Sequence, residues 1–177
     1  MVASIRNTRT PINIDFGVGD VIVPRHEKRS IPTQLPDFAA PIINTYSVET
    51  TVAEKLDAIL SLMGFTSRMK DYYDLYYLAN KFDFNGAILT EALCKTFENR
   101  DRAFTVEQFD QLMTFVEDDG MSKKWTAFTR KTDLQSEPYA TVLQMIIRFL
   151  RQPYSSVICH EQYSQNWSAE QRKWTTS

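Results

Sequence analysis

Polar and apolar residues alternate near the N-terminus and fall into three- and four-residue spacing from Val48 onward. The first pattern predicts short strands and the second predicts helices. Ile12, Ile14 and Phe16 alternate with Asn13 and Asp15, and Gly17-Val18-Gly19-Asp20 is a tight-turn signal. Val21–Val23 restarts a strand that Pro24 ends, so a hairpin is expected over Pro11–Val23. Arg25–Pro41 is polar and broken by prolines, which predicts a long extended connection or a loop over the core. Ile42–Tyr46 reads as a further short strand.

Val48–Met63 is an amphipathic helix with Val52, Leu56, Ile59 and Met63 as its buried stripe, Leu60 at the edge, and Gly64 as its stop. Thr51 and Glu54 have capping-box spacing. The next helix, Ser67–Leu78, starts on a candidate N-cap, Ser67, and is apolar on most sides. A turn at Asp83–Gly86 precedes a helix over Ala87–Asn99. Further helices are expected over Thr105–Glu117, with Thr105 and Gln108 as a capping box, over Met121–Lys131, and over Pro138–Arg151. Periodicity is lost beyond Pro153; Tyr154–Ser177, with Tyr163, Trp167 and Trp174, is either a mobile tail or a late docking segment. This divides the chain into a sheet with its connecting loop (1–47), a helical part (48–152) and a tail (153–177).

A chain of 177 residues has room for one domain with a substantial core. The net charge of −2 provides no global basic field to attract nucleic acid. Cys94 and Cys159 make no disulfide framework, and Cys94 reads as a small buried hydrophobe. No apolar run is long enough to span a bilayer and the first ten residues lack a signal-peptide core, so a reducing, cytoplasmic setting is expected.

The residues that could carry chemistry lie on the two central helices. Asp71 and Asp74, three apart, share one helical face and are flanked by Arg68 and Lys70. Carboxylates on a mostly apolar helix are costly unless paired or bound. One reading pairs Arg68 with Asp71 and Lys70 with Asp74 as structural bridges, and the other makes them a site. Lys55 projects from the margin of an apolar stripe, either snorkelling or presenting its ammonium to a cleft. Asp15 is disfavoured in a strand by propensity, and belongs to an open solvated face or to a metal site. Arg25, His26, Lys28 and Arg29 read as a solvated basic loop, with a phosphate or RNA contact as the minority reading.

Three motifs add to this reading: Ile12–Asp20, Tyr46–Leu56 with its Ala-Glu-Lys, and Ser67–Leu75 with its Lys-Asp-x-x-Asp. In this order and spacing, and with Phe82–Gly86, Thr96-Phe97 and Arg100, the chain from about Pro11 to Arg151 resembles the AbiEii/AbiGii toxin family of nucleotidyltransferases. The resemblance implies an α+β, nucleotidyltransferase-like fold, with a short sheet remnant at the N-terminus and a helical C-terminal part. It implies a bacterial toxin of a toxin–antitoxin or abortive-infection system that transfers NMP from NTP, with Mg²⁺, to an RNA acceptor such as tRNA. Carried over by motif, Lys55, Asp71 and Asp74 are catalytic, Arg68 and Lys70 bind substrate, and Asp15 is metal-proximal. An antitoxin protein and a second copy of the chain are the implied protein partners. The family's Gly-Ser turn and Asp-x-Asp pair have no counterpart ahead of Asp15, so the resemblance implies an enzyme that is incomplete as given. The alternative is an inactive remnant that acts as an interaction module.

Overall fold

The structure is a computed structural model that describes residues 2–5, 7–11, 13 and 19–176. It is mixed α and β, with short strands first and helices after, as the pattern predicts. Strands β1 (Val2–Ile5) and β2 (Thr8–Pro11) form an antiparallel hairpin, with Val2 opposite Pro11 and Ile5 opposite Thr8. Strands β3 (Glu27–Ser30) and β4 (Ile42–Thr45) form a second antiparallel pair, with Glu27 opposite Thr45 and Ser30 opposite Ile42. The expected connection over Arg25–Pro41 is therefore partly strand. Glu27 and Arg29, two apart on one side of β3, bridge at 2.6 Å, and Ile31 N–H donates to Pro41 C=O where the strands diverge.

The hairpin expected over Pro11–Val23 falls largely outside the described residues, as do Ile12, Ile14, Asp15 and Phe16. Its second arm, Val21–Val23, is not a strand. Val23 spends its backbone groups on the start of the next helix instead: its N–H donates to Thr50 Oγ1 at 2.8 Å, and its C=O accepts from the Ser47 and Thr50 hydroxyls.

Helix α1 (Val48–Leu62) is capped by Ser47, whose Oγ accepts from Thr50 N–H. The Thr51–Glu54 capping box does not form, because Thr51 already lies in the first turn and donates its hydroxyl to Ser47 C=O. Met63, at φ 45°, ends α1 one residue before Gly64, and a single 3₁₀ turn (Met63–Phe65) follows. Helix α2 (Met69–Lys81) begins after Arg68 rather than at Ser67; Thr66 Oγ1 accepts the Arg68 N–H. Strand β5 (Phe84–Asn85) occupies the expected turn, and Asn85 caps α3 (Gly86–Asn99). The Thr105–Gln108 capping box is present and starts α4 (Val106–Gln111), which tightens into a 3₁₀ turn over Leu112–Phe115 instead of running to Glu117. Helices α5 (Asp119–Thr132) and α6 (Tyr139–Ile158) complete the bundle. Its core is built on Leu56, Tyr72, Leu75, Leu93, Leu143 and Ile146, all fully buried.

Of the two readings of the C-terminal segment, docking is the one seen. Helix α6 runs through Pro153 to Ile158, and β6 (Asn166–Ser168) and β7 (Lys173–Thr175) then form a hairpin whose β6 pairs with β5. Proline has no N–H to donate to the carbonyl four residues earlier. That carbonyl, on Phe149, accepts the Trp174 indole N–H at 2.8 Å instead. Trp167, 1% exposed, donates its indole N–H to Ala79 C=O at 2.7 Å, and so satisfies an open carbonyl in the last turn of α2. Gly86 makes the seating possible: a Cβ there would lie 2.3 Å from Gln165 O and 2.6 Å from the Tyr163 ring.

This exchange of donors is testable by a double-mutant cycle. Trp174→Phe, which keeps the ring and loses the N–H, is expected to cost about 1–2 kcal/mol in urea unfolding. In a Pro153→Ala background the helix supplies its own donor to Phe149 C=O, and the same change is expected to cost clearly less.

Candidate functional site

Helix α1 presents two charged faces. Lys55, on one, reaches to α2, where its Nζ lies 3.1 Å from Asp71 Oδ1 and 2.7 Å from Asp74 Oδ2. Arg68, just ahead of α2, closes on the far oxygen of Asp71 with its Nε at 2.6 Å. Asp71 is therefore held from two sides and is 3% exposed, whereas Lys55 and Asp74 are 20% and 24% exposed. The preceding loop is pinned by Lys124, whose ammonium donates to Gly64 C=O and Thr66 C=O.

Burial disfavours the charged form of Lys55, but its hydrogen bonds to Asp74 and Asp71 outweigh that cost and hold its pKa above the ordinary value. Lys55 is thus a fixed ammonium and is unsuited to act as a base. Two of its three donors are spent on the carboxylates, which leaves one for a ligand oxygen. Lys55 and Arg68 balance Asp71 and Asp74 in charge, so the cluster is neutral as a whole.

The structure brings together Lys55, Arg68, Asp71 and Asp74. Lys70 is exposed and does not pair with Asp74, because Lys55 takes that carboxylate from the neighbouring helix. Asp15 lies outside the described residues. Among the described residues no group of three Asp, Glu, His or Cys side chains could hold a metal ion. Asp71 and Asp74 are already held by cations, so they do not fit Mg²⁺ without giving those cations up.

The second face of α1 carries Glu54 and Asp57, which the motif reading passes over. Asp57, 1% exposed, accepts from Arg100 Nη1 at 2.8 Å and Arg102 Nε at 2.7 Å, and Glu54 pairs with Arg100. The three-residue spacing of Glu54 and Asp57 within the buried stripe repeats that of Asp71 and Asp74, and was the available signal. Near this face, Tyr46 OH donates to Asp20 at 2.6 Å, a bond that raises the tyrosine pKa, and Asn99 donates to Gly19 C=O. These bonds and those of Val23 fix residues 19–23 against the ends of α1 and α3. Cys94, expected to be buried, is partly open and donates to Glu98. Among the described residues no helix is long and apolar enough to cross a membrane.

No curated protein matches the chain. No solved structure matches it either. One family model does, over residues 2–145: the AbiEii toxin, a nucleotidyl transferase of a type IV toxin–antitoxin system. That match spans both faces of α1 and the whole of α2, and the chain belongs to the AbiEii nucleotidyl transferase toxin family.

Proposed function

We propose that the chain transfers NMP from an NTP to an RNA acceptor, tRNA being the first candidate, and that Lys55 is the cation that receives the triphosphate. The observation that supports this most is the capture of Lys55 by both acids of the Lys-Asp-x-x-Asp motif from a different helix. In the reaction the acceptor hydroxyl oxygen forms a bond to the α-phosphorus, the bridging P–O bond to the β-phosphate breaks, and pyrophosphate leaves. Lys55, protonated throughout, donates its remaining N–H to the phosphate oxygens as charge builds on the leaving group. Asp71, buried and held by two cations, positions Lys55. Asp74, the more open carboxylate, takes the acceptor proton. Arg68 and Lys70 line the solvent side for substrate phosphates, and the system's antitoxin is the protein partner. Asp15 stays in this proposal as the metal-proximal carboxylate. The described carboxylates do not fit Mg²⁺, and no step here runs through it.

A specific observation favours a second reading, that of an interaction module. Strand β4 and the loop that joins it to β3 expose Ile42, Leu35 and Phe38 at 71%, 60% and 65%, a large apolar display around a two-stranded ribbon.

Incorporation of α-labelled NTPs into total tRNA, with Mg²⁺, separates the two. Lys55→Ala and Asp74→Ala are each expected to lower transfer by about 10²-fold or more while the protein stays folded, since Arg68 still holds Asp71. Unchanged transfer in both would overturn the assignment, and no transfer by the parent chain would favour the interaction module.

The fixed ammonium also predicts a pH dependence. Because the folded-state pKa of Lys55 is raised, its contribution to stability is complete below the ordinary value of 10.5 and is lost as pH rises through the higher one. Melting temperatures are therefore expected to fall more steeply above about pH 10 for the parent than for Lys55→Met.

A further inference from the structure

The C-terminal half of α2 faces a cavity of about 220 Å³ that the transfer reading does not use. Tyr73, Tyr76 and Tyr77 form its aromatic wall, and Lys81 and Arg172 stand at it. Neither cation has an ion-pair or hydrogen-bond partner among the described residues. Arg172 reaches this place because the turn between β6 and β7 carries it, and that hairpin is anchored by the indole bonds of Trp167 and Trp174.

Polar groups at the wall are incomplete. Asn80 donates through Nδ2 to Tyr76 C=O at 2.7 Å, which fixes the amide and leaves Oδ1 as the other end. Among the described residues four buried side-chain polar atoms have no partner, and two of them, Asn80 Oδ1 and Ser136 Oγ, belong to residues lining this cavity. Both atoms are buried beneath the lining rather than open to the cavity, so the surface a ligand would meet is the tyrosines and the two cations. Three tyrosine rings and two cations without partners among the described residues together suit one planar base with an adjoining phosphate.

Its place on the helix connects it to the transfer site. Asp74, Tyr77 and Lys81 follow at three- and four-residue spacing on one side of α2. The rise from Asp74 to Lys81 is about 10 Å, or about three stacked nucleotides at roughly 3.4 Å each. We propose that this cavity receives an unpaired base of a single-stranded acceptor, a few nucleotides back from the end that reacts at Asp74, with the neighbouring phosphates on Lys81 and Arg172. The proposal rests on the transfer reading for the identity of the strand. It also makes the C-terminal hairpin, beyond the residues matched by the family model, part of acceptor recognition.

Binding of a short labelled single-stranded RNA, followed by fluorescence anisotropy without NTP, tests it. Tyr77→Ala, at a half-exposed position, is expected to weaken binding by about tenfold. Lys81→Ala and Arg172→Ala are each expected to reduce the slope of log affinity against log salt by about one. A duplex of the same sequence is expected to bind more weakly, and a free mononucleotide to compete poorly with the strand. Equal affinity of the parent and Tyr77→Ala at unchanged melting temperature would overturn the proposal. So would no strand binding by the parent, a duplex bound as tightly as the single strand, or a mononucleotide bound as tightly as the strand. The assay reads no transfer, so failure of the Lys55 assignment would leave its result standing, and the converse also holds.

Discussion

Helix α1 holds its neighbours by charge of opposite sign on its two faces. Towards α3 it offers acids, with Asp57 and Glu54 gripped by Arg100 and Arg102. Towards α2 it offers a cation, with Lys55 between Asp71 and Asp74. Asp57 is 1% exposed, and the guanidinium groups of Arg100 and Arg102 fill its lone pairs. Removing one partner from such a buried group costs about 3–5 kcal/mol, so the angle between α1 and α3 is locked by these contacts as well as by apolar burial. That lock sets where Lys55 points. The site on α2 thus depends on a cluster that lies on the opposite side of α1 and takes no part in its chemistry.

The C-terminal segment shows the same economy in neutral groups. Carbonyls that the helices leave open, at Ala79 by the end of α2 and at Phe149 by Pro153, are the ones the two tryptophans fill. Each indole adds a large buried ring to the donor it supplies, and Phe84, Phe149, Trp167 and Trp174 form one continuous aromatic contact. Pro153 therefore does not break α6. It creates the acceptor by which the last strand is recognised.

Helix periodicity was legible from Val48 onward, and so were Lys55, Asp71 and Asp74, which the structure brings together, as charges on apolar helices. Their pairing across helices was not, because i,i+3 and i,i+4 spacing suggests only local partners; Lys70 fits Asp74 on spacing and loses to Lys55 in space. The Thr51–Glu54 box was a false local signal for the same reason, with Ser47 as the true cap and Arg100 as Glu54's partner. The strands at β5 and β6 were hidden because two or three residues carry no alternation, and their pairing depends on a helix that continues through a proline. Tyr77 and Arg172 gave no chemical signal, since the cavity that brings them together joins segments distant in sequence.

A neutral cluster is a physically sensible way to keep a largely buried lysine charged. An unpaired ammonium at 20% exposure would pay desolvation and be pushed toward the neutral amine. Two carboxylates keep it charged. They also differ: Asp71 is locked by Arg68 at 2.6 Å, while Asp74 has no ion-pair partner except Lys55 among the described residues. Lys55 keeps a third donor, so an anion can approach it without displacing either carboxylate, and Asp74 remains the more open of the two acids. Tyr77 and Lys81, which line the cavity, follow Asp74 along one side of α2, so an acceptor strand held there would approach Asp74 from the C-terminal end of that helix.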